Sequence, residues 1–304
     1  MKPGVKIKAI VAAALIAGAL LIAAYLGGVF QRDLFSQLEA EKRPRQARAK
    51  LEKMTAQNPD DMRAQGWLLR LELEDGDLQK AEQRLGLLLV KTPDHYFTQS
   101  GACRLYLKKN MNAQALRFCR RAHELSEGDA REANHYGVAL VRARRFYDAE
   151  KIFKEALEAH PDDFMLLVNL GHASLGLNKN DQAIVSLEKA CSLFPLDITC
   201  RRNLAQAYYQ AKRNAEAVAE LKELIKLAPD DMTTYYNLVI ILALELDKPE
   251  EARTYLRQAI EKGLEDQLAQ NLVTVVESVE QAGKASEAPD ESGDPQPPSP
   301  EQAE

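Results

Sequence analysis

Four cysteines and five histidines are the side chains of this 304-residue chain best equipped for redox, metal or nucleophilic chemistry. Cys103, Cys119, Cys191 and Cys200 form no CxxC, no CxxCH and no cysteine–histidine pair at zinc spacing, so thioredoxin-like, attached-haem and zinc readings lack their ligands. His95, His123, His135, His160 and His172 are scattered, and no GxSxG, HExxH, P-loop or dinucleotide-binding glycine pattern accompanies them. No enzyme, cofactor or metal site is expected. With 40 basic against 45 acidic residues the net charge is −5, which removes the electrostatic case for nucleic acid. Cross-linking is what the cysteines offer, and whether they meet depends on the elements that carry them.

Those elements repeat. Pro59, Pro93, Pro161, Pro195 and Pro229 mark one constant interval, doubled once between Pro93 and Pro161. Twelve residues before each stands an alanine: Ala47, Ala81, Ala149, Ala183 and Ala217. Ala115 keeps the frame where Glu127 replaces the proline. Four residues after each alanine comes Leu51, Leu85, Cys119, Phe153, Leu187 or Leu221, the spacing of one helix face. A second amphipathic stretch precedes it in every unit, as in Tyr136-Gly137-Leu140 and Leu170-Gly171-Ser174, where small residues permit close helix approach. Each unit is therefore predicted to be a helical hairpin. In such a hairpin Cys103 and Cys119, eight residues either side of Met111, face one another; Cys191 and Cys200 flank the Pro195-Leu196 corner symmetrically. Two short-range disulfides are expected on this geometry, which requires an oxidising compartment. The other reading is that cysteine serves as a small apolar packing residue, as Gly137 and Gly171 do at the positions equivalent to Cys103.

Ahead of the repeats, Ala9 to Phe30 are 22 consecutive uncharged residues, about 33 Å as a helix and long enough to cross a bilayer. The run exceeds a signal-peptide core and has no cleavage site after it, so a retained transmembrane helix is expected over 9–30. Lys2, Lys6 and Lys8 place residues 1–8 in the cytoplasm and the repeats outside it; Lys42 to Lys50 carry basic charges that favour the reverse topology, a cytoplasm-facing adaptor. Ala19, Ala23 and Gly27 share a face through which two spans could pair. The absence of any Asn-x-Ser/Thr site favours a bacterial periplasm over an ER lumen. At the other end, residues 284–304 hold five prolines and six carboxylates without apolar periodicity and are predicted to be a disordered acidic tail.

The repeat resembles the tetratricopeptide family, whose pattern W-x2-L-G-x2-Y, A-x3-F and P is met most fully by Gly137, Ala149, Phe153, Ala156 and Pro161. Five units of equal length run over 62–95, 96–129, 130–163, 164–197 and 198–231. A sixth, 232–265, gains one residue near Lys248-Pro249 and lacks the closing proline. Residues 31–61 match a partial first unit, with its second helix at 44–57, and 266–283 reads as a capping helix. The resemblance implies an all-α right-handed superhelix, an α-solenoid. In it, the second, fifth, sixth, ninth and twelfth to thirteenth positions of each first helix would line a groove. Here those positions hold Arg63, Arg70, Arg104, Lys108, Arg131, Asn134, Arg142, Asn169, His172, Arg202, Asn203, Gln206 and Asn237, with Glu74 the one carboxylate. The asparagine column at 169, 203 and 237 resembles the family's amides that hold an extended peptide main chain, although asparagine also bonds to its own surroundings. The guanidinium groups suit acidic segments or a free C-terminus. The lysine-rich clamp of the chaperone-binding subclass is incomplete. The whole looks similar to membrane-anchored scaffolds of secretion, pilus or cytochrome biogenesis, with haem-ligation partner as a further alternative and self-occupation of the groove by the acidic tail as an intramolecular one.

Overall fold

The computed structural model describes residues 44–287. The expected membrane span 9–30, its flanks and residues 288–304 lie outside the described residues. Among the described residues no helix is long and apolar enough to cross a membrane.

Fourteen helices follow one another without a strand among the described residues. They are α1 (Pro44–Gln57), α2 (Met62–Glu74), α3 (Leu78–Lys91), α4 (Tyr96–Lys108), α5 (Asn112–Leu125), α6 (Ala130–Arg142) and α7 (Phe146–Ala159). The rest are α8 (Phe164–Gly176), α9 (Asn180–Leu193), α10 (Ile198–Gln210), α11 (Asn214–Leu227), α12 (Met232–Ile240), α13 (Pro249–Glu261) and α14 (Asp266–Glu287). The even-numbered helices from α2 to α10 are the 13-residue first helices of the repeat, here called A helices, and the odd-numbered ones from α3 to α11 are the 14-residue B helices. The chain divides at Glu127/Gly128 into two compact bodies. That is the corner where the repeat proline is missing, and both residues there have positive φ (50° and 93°).

Local chemistry sets the period. Asp61, Asp129, Asp163, Asp197 and Asp231 stand immediately before A helices and accept hydrogen bonds from backbone N–H groups two or three residues on, satisfying orphan donors of the first turn. Each hairpin turns through one residue in the left-handed region: Gly76, Asn110, Arg144, Asn178, Lys212 and Asp247. The first five keep the repeat interval, and the last comes one residue late. The residue gained by the sixth unit, expected near Lys248-Pro249, therefore lies just upstream of the turn. It is absorbed in a π-helical turn, Ile241–Glu245, which continues α12, and the Leu246 N–H donates to the Ile241 carbonyl at 3.1 Å. A wider turn is how a helix accommodates one extra residue while the next helix keeps its packing register. Pro249 then opens α13 at its first position, where a missing N–H costs nothing. The closing helix α14 also runs four residues past its expected end at Gly283, because that glycine keeps helical φ and helix-compatible residues come after it. Residues 284–287 thus belong to the helix and not to the tail.

Within each hairpin the A and B helices touch through one recurring pair of positions, eighth and twenty-fourth. A Cβ added to Gly137 would lie 2.2 Å from the Phe153 ring, and one on Gly171 would lie 2.5 Å from Leu187. At the same positions the structure joins Cys103 to Cys119 with Cα atoms 4.6 Å apart. Gly137→Ala is accordingly expected to lower stability by about 1–2 kcal/mol, the overpacking cost less the helix-propensity gain of alanine, and to be relieved by Phe153→Leu; denaturant unfolding of the two variants checks this. From Leu167 to Val276 the second body shares one continuous core.

Candidate functional site

Residues of the expected groove lie on A helices, and the structure pairs several of them. In the first body Arg70 and Arg104, on α2 and α4, both hold Glu74, at 2.8 and 3.3 Å. Burial alone would raise the Glu74 carboxyl, but hydrogen bonds and charge from the two guanidinium groups carry it below its ordinary value. Lys108 is exposed and Arg63 half-buried.

In the second body Arg131 bonds Asp129 at 3.2 Å, and Arg202 bonds Asp231 at 2.9 Å. Glu74 is therefore not alone: aspartates that cap A helices also meet groove arginines. Inspection of helix positions missed them because a cap precedes the first helical residue. The Asp231 carboxyl, pushed up by burial, is pulled further down by hydrogen bonds from Thr234 and Arg202. The asparagine column is not uniform either. The Asn169 amide donates to the Asn134 side-chain oxygen at 2.7 Å, tying α8 to α6; Asn203 is half-buried and Asn237 exposed. His172 and Arg142 are exposed.

One depression brings expected residues together. Between α10 and α12, Arg202, Gln206, Tyr209, Thr233, Asn237 and Ile240 line a cavity of ≈ 350 Å³. Its floor includes Ile241, the first residue of the π-helical turn. Two amides, an aromatic ring and an aliphatic side chain around an open slot can hold a peptide main chain and one apolar side chain. Cys191 and Cys200 are joined across the α9–α10 corner, Cα atoms 5.7 Å apart, so the structure makes both cysteine pairs that the symmetric spacing predicts.

A buried carboxylate steadies the hairpin next to these helices. Glu150 on α7 accepts from Lys154 and from Lys179, each at 2.7 Å, the second lying in the α8–α9 turn. Burial opposes its ionisation, yet the two ammonium groups keep its carboxyl below the ordinary value. A folded-state value below the unfolded one contributes stability above the ordinary carboxylate range and loses it as pH falls through the folded value. Thermal stability of the second body is expected to drop on acidification below that range, and Glu150→Gln is expected to shallow the drop; melting curves across acid pH measure it.

Tetratricopeptide repeat family models match residues 38–98 and 174–239, 136–198 and 233–261. Among solved structures, a tetratricopeptide repeat protein from Parabacteroides merdae superposes with a TM-score of 0.53 at 15% identity, covering 80% of this chain and 95% of that one. YrrB, described as a TPR protein with an unusual peptide-binding site, gives 0.51 at 20% identity over 62% of this chain and 97% of its own. MamA from Desulfovibrio magneticus RS-1 gives 0.51 at 18% over 55% and 94%. At such identities the likeness is one of fold. No curated protein matches the sequence.

Proposed function

As the chain belongs to the tetratricopeptide repeat family, we propose that it is a non-catalytic docking protein that holds extended peptide segments of partner proteins on its A-helix face. The observation that carries the reading is the slot between α10 and α12, where Gln206 and Asn237 present paired amide donors and acceptors beside Tyr209 and Ile240. Arg202 is already engaged by Asp231, so main-chain recognition by the amides is favoured over capture of a carboxylate by a free guanidinium. That YrrB is named for a peptide-binding site supports a peptide as the ligand class.

In this reading residues 9–30 hold the protein in a bacterial inner membrane with the repeats in the periplasm, where it serves assembly of an envelope, secretion, pilus or cytochrome complex. The two cysteine pairs support export, since cytosolic thiols stay reduced. Two experiments test the parts separately. Selection of extended peptides on the full chain, followed by titration against Asn237→Ala and Gln206→Ala, should show each variant roughly tenfold weaker, because a lost bidentate amide costs ~1–2 kcal/mol; equal binding by both variants rejects the slot. A reporter active only after export, fused after Lys284, should be active; an inactive fusion places the repeats in the cytoplasm.

A further inference from the structure

The last described helix is half a unit. Aligned on their N-terminal hydrogen bonds, Ala269 N–H to the Glu265 carbonyl matches Arg201 N–H to Asp197, so α14 is the A helix of a seventh hairpin. Its B helix is not among the described residues, and the consequence is visible in burial. The third A-helix position is buried in every preceding hairpin of the second body, at Glu132, Leu166, Cys200 and Thr234, whereas its equivalent Leu268 is 39% exposed. Ile260 on α13 is 45% exposed, while its equivalents Leu157, Cys191 and Ile225 are buried or half-buried. Val273 occupies the eighth position, where Gly137 and Gly171 meet a large side chain of their own B helix. Between α13 and α14 lies a groove of ≈ 260 Å³ with Leu256, Ile260, Val273 and Val276 as its apolar lining and Arg253, Arg257, Glu261 and Glu277 as its charged lining.

We propose that this groove is a second docking site, separate from the A-helix slot, which takes one amphipathic helix of a partner protein in the place a seventh B helix would occupy. The groove continues the interface that each earlier B helix makes with its own A helix, so its occupant has the same form: a small residue, a leucine or phenylalanine four later, and alanine or leucine three after that. The rim adds a charge requirement. Lys222 follows buried Leu221 and pairs with Glu251 at 2.5 Å, the residue just before Ala252 of the next B helix. Arg257 follows buried Leu256 in the same way, so by register the docking helix carries a carboxylate immediately before its small residue, facing Arg257 and away from Glu261 and Glu277. Residues 288–304 contain no Val, Ile, Leu, Met or aromatic side chain and do not supply this stripe. The B helices of a second copy are already packed in their own hairpins, so the occupant proposed is a helix of a different protein.

The probe is a fluorescent, side-chain-stapled peptide with the sequence of α11, residues 214–227, which carries Glu216-Ala217, Leu221 and Leu224; stapling offsets the marginal helicity of so short a segment. Anisotropy with the full chain in detergent should show saturable binding, weakened roughly tenfold or more by Ile260→Glu in the protein or by Leu221→Asp in the peptide. Arg257→Glu should weaken it and a Glu216→Lys peptide restore it, a charge swap that a misfolded variant does not reproduce. Asn237→Ala, which tests the A-helix slot, should leave this binding unchanged. Binding indifferent to Ile260→Glu and to the charge swap overturns the proposal. So does reversible self-association of the chain, seen by sedimentation and abolished by Ile260→Glu, which assigns the groove to a second copy.

Discussion

Replacing Arg84 with alanine is expected to cost about 3–5 kcal/mol, the range for stripping one partner from a buried ion pair. Arg84 on α3 grips Glu72 on α2 with Nε and Nη2, at 2.8–3.0 Å, and its Nη1 also donates to Gln65. Glu72 is 1% exposed with Arg84 in place, so the truncated variant leaves a largely desolvated carboxylate without its bidentate partner. The two residues occupy the eleventh and twenty-third repeat positions. In the next hairpin those positions hold Tyr106 and Phe118, whose rings stack with centroids 5.3 Å apart. A buried pair can be exchanged for apolar groups of suitable volume at little cost, so Glu72→Tyr with Arg84→Phe should recover most of the stability lost by Arg84→Ala. Urea unfolding followed by a probe within residues 44–127, such as the fluorescence of Trp67, measures all three proteins. A loss below about 1 kcal/mol for Arg84→Ala would mean that the pair is a surface bridge in energetic terms.

The same pair shows where the sequence was readable and where it was not. Alanines, prolines and large apolar residues recur once per repeat because each must fill an equivalent gap between helices, so the hairpins and their boundaries could be read directly. Glu72 and Arg84 break that column with charge, and only the folded geometry shows that they meet. The turn residues were hidden for another reason: glycine, asparagine, arginine, lysine and aspartate all take the left-handed turn position, so no residue type marks it, and the one-residue shift that reveals the π-helical turn emerges only from the backbone. In the slot, the amides at 206 and 237 followed from helix positions. The Asp231–Arg202 bond did not, since it joins a cap of one helix to the face of another 29 residues away. The cysteines were legible because symmetry about a turn is a property of the sequence itself.

Reduction of the Cys103–Cys119 bond is expected to lower the stability of the first body by about 3 kcal/mol, the loop-closure value for a 16-residue separation, and reduction of Cys191–Cys200, nine apart, to lower that of the second by slightly less. Because the bonds lie in different bodies, the losses should separate: unfolding followed within residues 44–127 responds to Cys103→Ala/Cys119→Ala, and unfolding followed within 128–287 to Cys191→Ala/Cys200→Ala. Alanine also removes sulfur from buried positions, so a packing control is needed. The later hairpins provide one, since Gly171 and Leu187 fill the equivalent gap without a cross-link. Cys103→Gly/Cys119→Leu should restore the packing share and leave the cross-link share missing, so that its stability lies between the alanine pair and the oxidised protein. If the glycine–leucine pair matches the oxidised protein, the cysteines act there as small apolar residues and the case for an oxidising compartment falls with the bond. If it stays well below, the fold depends on oxidation, and a chain made in a reducing cytosol should show the lower stability until it is exported or oxidised.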